Sequence, residues 1–427
     1  MIGALFSGLS GIRSHQTEMD VIGSNIANIN TIGYKTSRTS FEEALVITLR
    51  GGVKPESGRG GLNPVQIGMG STVGGIDTIF KQGALQQTGK TTDLAIIGDG
   101  FFIVSDGEQQ YYTRAGDFQF DASGRLVTRN GYSVQGWNAD AEGRIARDAP
   151  IGDITLPYGR RIPAKATTSV SFTGNLDSRT TADDDPYVIS TTIYDSQGTS
   201  HTLSITLRKA VDSRTGEATP NTWTWEVALS GGEEVVSGGS GTLTFNTDGS
   251  IKEVSFDDKN ATALVIDPKN GAEQMSVTLD FGEVNSFEGL TQHASQFTAV
   301  VSGQDGYMAG NLEAVSIQED GRILGTFSNG ITQTLAQIAI ARFSNPSGLV
   351  RMEKNLYGAT GNSGAPFIGT AGSSIQASIV SGALEQSNVD LASEFTRLII
   401  AQRGFQANSR VITTSNDVLE DLVNLKR

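Results

Sequence analysis

The spacing of hydrophobic positions divides the chain into helical ends and a β-patterned middle. Steps of four and three from Leu391 visit Leu391, Phe395, Leu398, Gln402, Phe405, Ser409, Ile412, Asn416, Leu419 and Val423, and seven of these ten are apolar. A half-buried strand would alternate, so the pattern predicts one long helix from about Asp390 to Lys426. Its length is roughly 50 Å at about 1.5 Å per residue. Asn388 or Asp390 offers an oxygen to cap the first free N–H groups, and Gly404 is the one internal glycine. Gln402, Ser409 and Asn416 fall one heptad apart, where polar groups lower stability and fix register. At the amino end Leu5, Leu9, Ile12, Gln16, Met19, Gly23 and Ile26 repeat the spacing, with five of seven apolar. Both helices join the remaining chain at their inner ends, near Asn30 and Asn388, so side by side they run antiparallel. A surface helix packed on a globular core is the alternative for each. Narrow seams at both extremities, where order is least expected, favour an antiparallel coiled coil.

Between the ends the pattern is β. Residues 36–76 read as a polar, Gly-rich connection in which periodicity does not decide between helix and strand for Phe41 to Leu49. From Gly75 onward, Ile76, Thr78 and Phe80 alternate. Turn signals recur at Asp121-Ala-Ser-Gly124, Ala141-Glu-Gly143, Thr247-Asp-Gly249 and Glu319-Asp-Gly321, each followed by a resumed strand, which is hairpin chemistry. Alternation in Thr202–Leu207 and Thr222–Val227, within a stretch rich in Thr, Ser and Val, indicates a β-sandwich or barrel. Strand patterns return at Asn311–Ile317, Arg322–Phe327 and Gln337–Phe343. The expected organisation is therefore multidomain and mainly β: terminal helices at 1–32 and 388–427, an extended linker at 33–76, a discontinuous β domain at 77–165 and 286–387, and an inserted outer β domain at 166–285.

Composition narrows the function classes. At 427 residues two or three domains are expected. Gly makes up 52 residues, about 12 per cent against a usual ~7, but aperiodically, which assigns it to turns and not to collagen. The net charge is −14, and no basic run exceeds Arg160-Arg161 or Lys426-Arg427, which argues against nucleic acid as a partner. Cysteine is absent, so disulfides, thiolate metal sites and cysteine nucleophiles are excluded. The first ten residues lack a basic region and an unbroken apolar stretch, so no cleaved leader is expected. No window of about 18 apolar residues predicts membrane insertion.

Catalytic constellations are scarce. A P-loop at Gly89-Lys90-Thr91 would need glycine where Ala84 stands, and Gly98-Asp-Gly100 meets Ile103 where a dinucleotide fingerprint needs glycine. The acidic turns lack the pattern of a calcium loop, and Asp183-Asp184-Asp185 reads as a solvated loop. His15, His201 and His293 lie in three different expected domains, without a partner at metal-ligand spacing. No Gly-x-Ser-x-Gly elbow occurs, although a triad assembled only in space is not visible to sequence. We therefore expect no enzyme activity, cofactor or metal.

Three strings carry a family resemblance. Ser24-Asn-Ile-Ala-Asn-Ile-Asn-Thr-Ile-Gly-Tyr-Lys35 contains Asn25, Asn28, Asn30, Gly33, Tyr34 and Lys35, and it resembles the signature after the first helix of flagellar rod and hook axial proteins. In physical terms Asn28 and Asn30 can bond local backbone at a helix exit, and Gly33 tolerates positive φ. Thr88–Val104, with its TDLAI and GFF segments, and the run from Phe367 through Thr414 are similar to further parts of these proteins. Tyr194–His201 resembles, more loosely, a strand-turn-strand element of the outer domain of the hook branch, and rod proteins resemble shorter chains without that insertion. The resemblance implies a subunit that polymerises with copies of itself into a curved, flexible tube acting as a universal joint between motor and filament. It further implies extracellular placement through the flagellar type III export apparatus, and contacts with hook cap, distal rod and hook-filament junction proteins. On this reading the helix seams are the assembly surfaces, and residues 36–76 are ordered mainly by neighbouring subunits. A distal rod subunit is the nearest alternative; a secreted adhesin or carbohydrate-binding module would use the Thr/Ser-rich strands with Trp223 and Trp225. Some hook proteins crosslink through a cysteine-derived residue, and this chain has no cysteine with which to do so.

Overall fold

The computed structural model describes residues 2–55, 60–156, 161–211, 218–259 and 261–424. Two long helices stand at the chain ends, α1 (Ile2–Ala27) and α2 (Leu391–Asn424), and among the described residues everything between them is strand, turn or short 3-10 helix. The expected end of α2 at Lys426 lies outside the described residues. Two compact units divide the chain, one made of Met1–Tyr158, Val315–Gly325 and Gln333–Arg427, the other of Gly159–Ala314 and Thr326–Thr332.

In the first unit, α1 leads into an arm of four strands: β1 (Ser37–Glu43), β2 (Val46–Arg50), β3 (Val65–Gly68) and β4 (Ser71–Thr78). β1 pairs antiparallel with β4, with a bulge between Ser40 and Phe41, and β2 pairs with β3. Strands therefore occupy much of the stretch read from sequence as an extended linker. Each finds its partner well away along the chain, which local periodicity does not register. All of β2 and β3 is exposed, including Val46, Ile47, Leu49, Val65 and Ile67.

The β body of this unit centres on Phe101–Ser105, which pairs with Gln110–Thr113, Ser133–Asn138 and Ile340–Arg342. Its unbroken apolar run is explained by burial on both faces. Phe102 and Val104 join a core with Phe118, Val134, Ile338 and Ile379. Phe101 and Ile103 face the other way, into a cluster with Tyr112, Phe343 and Tyr357. The predicted turns close as their chemistry requires: Gly124, Gly143 and Gly321 take positive φ of 81°, 77° and 82°, and Asp121, Asp140 and Asp320 accept N–H bonds from residues just beyond.

The second unit is two sheets around one core. Tyr187–Tyr194, Ser200–Val211, Ala218–Ser230, Ser240–Phe245 and Ile251–Phe256 form a five-stranded antiparallel meander. Ser169–Asp177 lies in the other sheet, between Met275–Asp280 and Val300–Gln304, and also pairs with Leu290–His293. These last two pairings extend the unit beyond the 166–285 read from sequence. Alternation follows the pleat, with His201, Leu203, Ile205 and Leu207 buried and their neighbours outward. Trp223 and Trp225 are each 1 per cent exposed, in a core with Phe172 and Phe281, so they cannot serve as a glycan-stacking platform. Trp223 Nε1 donates to Gln292 Oε1 at 2.9 Å.

Candidate assembly interface

The motif at the exit of α1 folds into a buried polar joint. Asn25, wholly buried, uses its amide in every direction: Nδ2 donates to Ser37 O at 2.8 Å and to Glu394 Oε2 at 3.1 Å, while Oδ1 accepts from Ser37 N–H and the Tyr34 hydroxyl. One side chain thus ties α1, the arm and α2 together. Asn28 Nδ2 bonds Ser24 O at 2.9 Å and ends the helix locally; Asn30 is exposed. Gly33 has φ of 68°, and a Cβ there would stand 2.6 Å from Ala115 N, so glycine is required for backbone and for space. Its N–H donates to Glu385 O at 2.8 Å. Arg351 stacks its guanidinium 4.4 Å from the centre of the Tyr34 ring.

Lys35 completes the joint. Nζ donates to Glu385 Oε1 at 2.6 Å and to Lys81 O at 2.9 Å, and Gly83 N–H reaches the same carboxylate oxygen at 2.8 Å. Arg114, also buried, approaches the second Glu385 oxygen at 3.5 Å and bonds the carbonyls of Ile96 and Gly98. Burial pushes the Lys35 pKa below its usual value, with Glu385 pulling against it. Asn388 accepts from Thr36 N–H and hydroxyl and donates to the carbonyls of Ile79 and Lys81. The cap of α2 therefore falls to Asp390, whose Oδ1 accepts from Ala392 N–H at 2.9 Å. Glu385, Glu394, Arg114 and Asn388 were not singled out from sequence as partners of the motif. Ionisable and amide groups close to apolar strings were the only signal.

Beyond the joint, α1 and α2 lie side by side and antiparallel. Gly8 faces Ile412, Gly11 faces Asn408, and His15 faces Gly404. A Cβ on Gly11 would stand 2.6 Å from Asn408 Nδ2, so small residues set the close approach. β4 lies against another side of α1, where Ser14 Oγ donates to Ser71 O at 3.2 Å.

The predicted seams enter this contact only in part, through Ile412, which faces Gly8. On α1, Leu5, Ile12, Met19 and Ile26 are half-buried and Leu9 is exposed; on α2, Leu398, Phe405, Ile412 and Leu419 are half-buried, and Leu391, Phe395 and Val423 are exposed. The buried positions Gly8, Gly11, Ile22 and Asn25 of α1, and Glu394 and Ala401 of α2, lie on lines offset from the seams by roughly a quarter to a third of a turn on α1 and about a sixth on α2. Both lines share the three-four spacing, which is why periodicity could not separate them. Ile400, Val411 and Val418 add exposed apolar surface on another flank of α2. Among the described residues no helix is long and apolar enough to cross a membrane.

Comparison with known proteins places these features in one family. Residues 6–35 match the model described as flagella basal body rod protein, 95–176 the flagellar hook protein FlgE/F/G D1 domain, 161–307 the flagellar basal body protein FlaE D2 domain, and 380–425 the flagellar basal body rod FlgEFG protein C-terminal. The flagellar hook protein FlgE of Borreliella burgdorferi is 39 per cent identical across the whole of both chains. The flagellar basal-body rod protein FlgG of Bacillus subtilis is 30 per cent identical, also across both chains. A crystal structure of Helicobacter pylori flagellar hook protein FlgE2 shares the fold, with a TM-score of 0.54 at 15 per cent identity over 70 per cent of this chain and all of that one. End-to-end identity with a hook protein and flagellar matches at both termini and through the β portions establish that the chain belongs to the flagellar hook protein family, as a structural subunit.

Proposed function

We propose that the chain polymerises with copies of itself into the curved, flexible tube of the flagellar hook, which acts as a universal joint carrying torque from motor to filament. The observation that carries this reading is the open apolar stripe on each terminal helix. Leu9, Leu391, Phe395 and Val423 are exposed, and their stripe neighbours are only half covered. Burying each such side chain contributes roughly 1.5–3 kcal/mol, and fixing each residue costs about 1–2 kcal/mol. Contacts between copies are then individually weak and collectively stable. The terminal helices act as an antiparallel coiled-coil unit lining the channel, and the exposed faces of β2 and β3 are covered by adjacent copies.

The remaining assignments follow the family reading. The subunit reaches the cell exterior through the flagellar type III export apparatus. It meets a hook cap during growth, the distal rod below and junction proteins above. Similarity to the Bacillus rod protein favours a second reading, a distal rod subunit, which differs in mechanics: a rod is straight and rigid. Electron microscopy of the purified protein, brought to polymerise, separates them. Curved tubes support the hook, straight tubes support the rod, and a chain that stays monomeric under all polymerising conditions overturns both.

A further inference from the structure

The strand-turn-strand element Tyr194–His201 holds a densely paired titratable group in the second unit. His201 is 6 per cent exposed. Its Nε2 lies 3.2 Å from Asp195 Oδ2, and its Nδ1 is hydrogen bonded to Glu233 Oε1. Both carboxylates are buried. Asp195 Oδ1 also accepts from Gln197 N–H and Thr199 N–H, and Oδ2 accepts from Asn270 Nδ2 at 2.6 Å. Glu273 adds its backbone N–H to Ser196 Oγ at 3.2 Å. One imidazole therefore joins the turn of the five-stranded sheet to Glu233, beside Glu234–Ser237 of the other sheet, while Asp195 engages the turn before Met275–Asp280.

The same turn also reaches the place where the chain passes into and out of this unit. At its tip, a Cβ on Gly198 would stand 2.8 Å from Ala164 Cβ and 3.4 Å from Met308 Cα. Ala164 and Met308 flank Lys165 and Tyr307, whose backbones exchange hydrogen bonds of 2.9 and 3.0 Å. Holding the turn in position therefore holds this neck.

A protonated imidazole donates to both carboxylates at once, whereas the neutral ring keeps one N–H. Asp195 has other donors, but Glu233 Oε2 is already buried without one. Deprotonation thus leaves one of the two buried carboxylates without its imidazole donor, and Glu233, the link across the sheets, has the fewer alternatives. The other charges on the packed elements are engaged with each other: Lys269 Nζ lies 2.8 Å from Glu234 and 3.3 Å from Asp267, and at the neck Lys165 pairs with Asp305 at 3.0 Å.

We propose that His201 is a pH-operated clamp: charged, it fastens the 195–199 turn and the neck at Lys165 and Tyr307 to the second sheet, and on losing its proton it loosens them. Burial of the ring works against the proton, but the bonds to Glu233 and Asp195 outweigh it and hold the imidazole above 6.5. The clamp's contribution is therefore complete below pH 6.5 and is lost as pH rises through the higher folded value. Asp195 survives on the acid side: burial opposes its charge, yet Asn270, Thr199 and His201 bring it down to about 2.

The test uses the full chain with labelled histidines, of which it has three. Imidazole NMR, assigned with His201→Gln, is expected to place the His201 midpoint above 6.5. Hydrogen exchange at 195–199 and 305–309, corrected for the intrinsic rate at each pH, is expected to quicken about tenfold above that midpoint. Glu233→Gln should lower the midpoint. The clamp is overturned by exchange that does not change across the midpoint, or by His201→Gln keeping the wild-type pH dependence. If His201→Gln does not fold, an unchanged midpoint in Glu233→Gln overturns it equally.

Discussion

The ammonium of Lys35 lies 2.6 Å from the carboxylate of Glu385, 350 positions away, with both side chains wholly out of solvent. Around this pair the exit of α1, the strand Ala383–Glu385 and Arg114 of the β body meet. Removing Lys35 leaves the buried Glu385 carboxylate with only Arg114 at 3.5 Å and the Gly83 N–H. Lys35→Met should therefore destabilise the first unit by about 3–5 kcal/mol, and Lys35→Met with Glu385→Leu by less than the sum of the single changes. Urea unfolding of the full chain reads both.

Gly11→Leu puts a side chain where Asn408 already stands. The helix pair should separate while the β body keeps its fold. Circular dichroism should show lost helix, near-ultraviolet signals from the buried tryptophans should persist, and no polymer should form.

Phe395 is half exposed and lies outside the contact with α1. Phe395→Asp should shift unfolding by no more than about 0.5 kcal/mol while abolishing polymerisation seen by sedimentation. A large loss of stability would place Phe395 inside the lone subunit's core.

Burial raises the Asp305 carboxyl, but bonds from Thr168, Ser169 and Lys165 overcome it and hold its pKa at about 2, against 3.8 unfolded. Its share of stability is complete above pH 3.8 and fades as pH falls through about 2. Asp305→Asn should flatten that part of the acid slope of the second unit, measured by tryptophan fluorescence during denaturation.

Because Lys165 and Tyr307 are paired across the neck, residues 166–306 can be replaced by a short turn without stretching the chain. Tubes should still form from the shortened protein, with altered curvature under electron microscopy. Complete failure of a folded, helical variant to assemble would make the second unit essential to the lattice.

The two helices were legible because only a helix keeps apolar residues at three-four spacing over so many turns. Which line of that period faces the partner was not, since Gly8 and Gly11 are three apart as Leu9 and Ile12 are, and the two pairs differ only in size. Periodicity rewards bulk, while the contact favours its absence. Similarly, the string from Asn25 to Lys35 marked one half of a joint whose other half, Glu385 to Glu394, comes from the far end of the chain. In the β region, Trp223 and Trp225 follow an alternation that pointed inward, and burial outweighs the glycan-binding use their chemistry also allows.

Phe101 packs against Phe343 and Tyr357, so the first unit is completed by residues that follow the second in sequence. A polypeptide delivered amino end first presents Lys35 and α1 long before Glu385 and α2 exist to receive them. The order of arrival works as a clock: the second unit is free to close early, and the first waits for the tail.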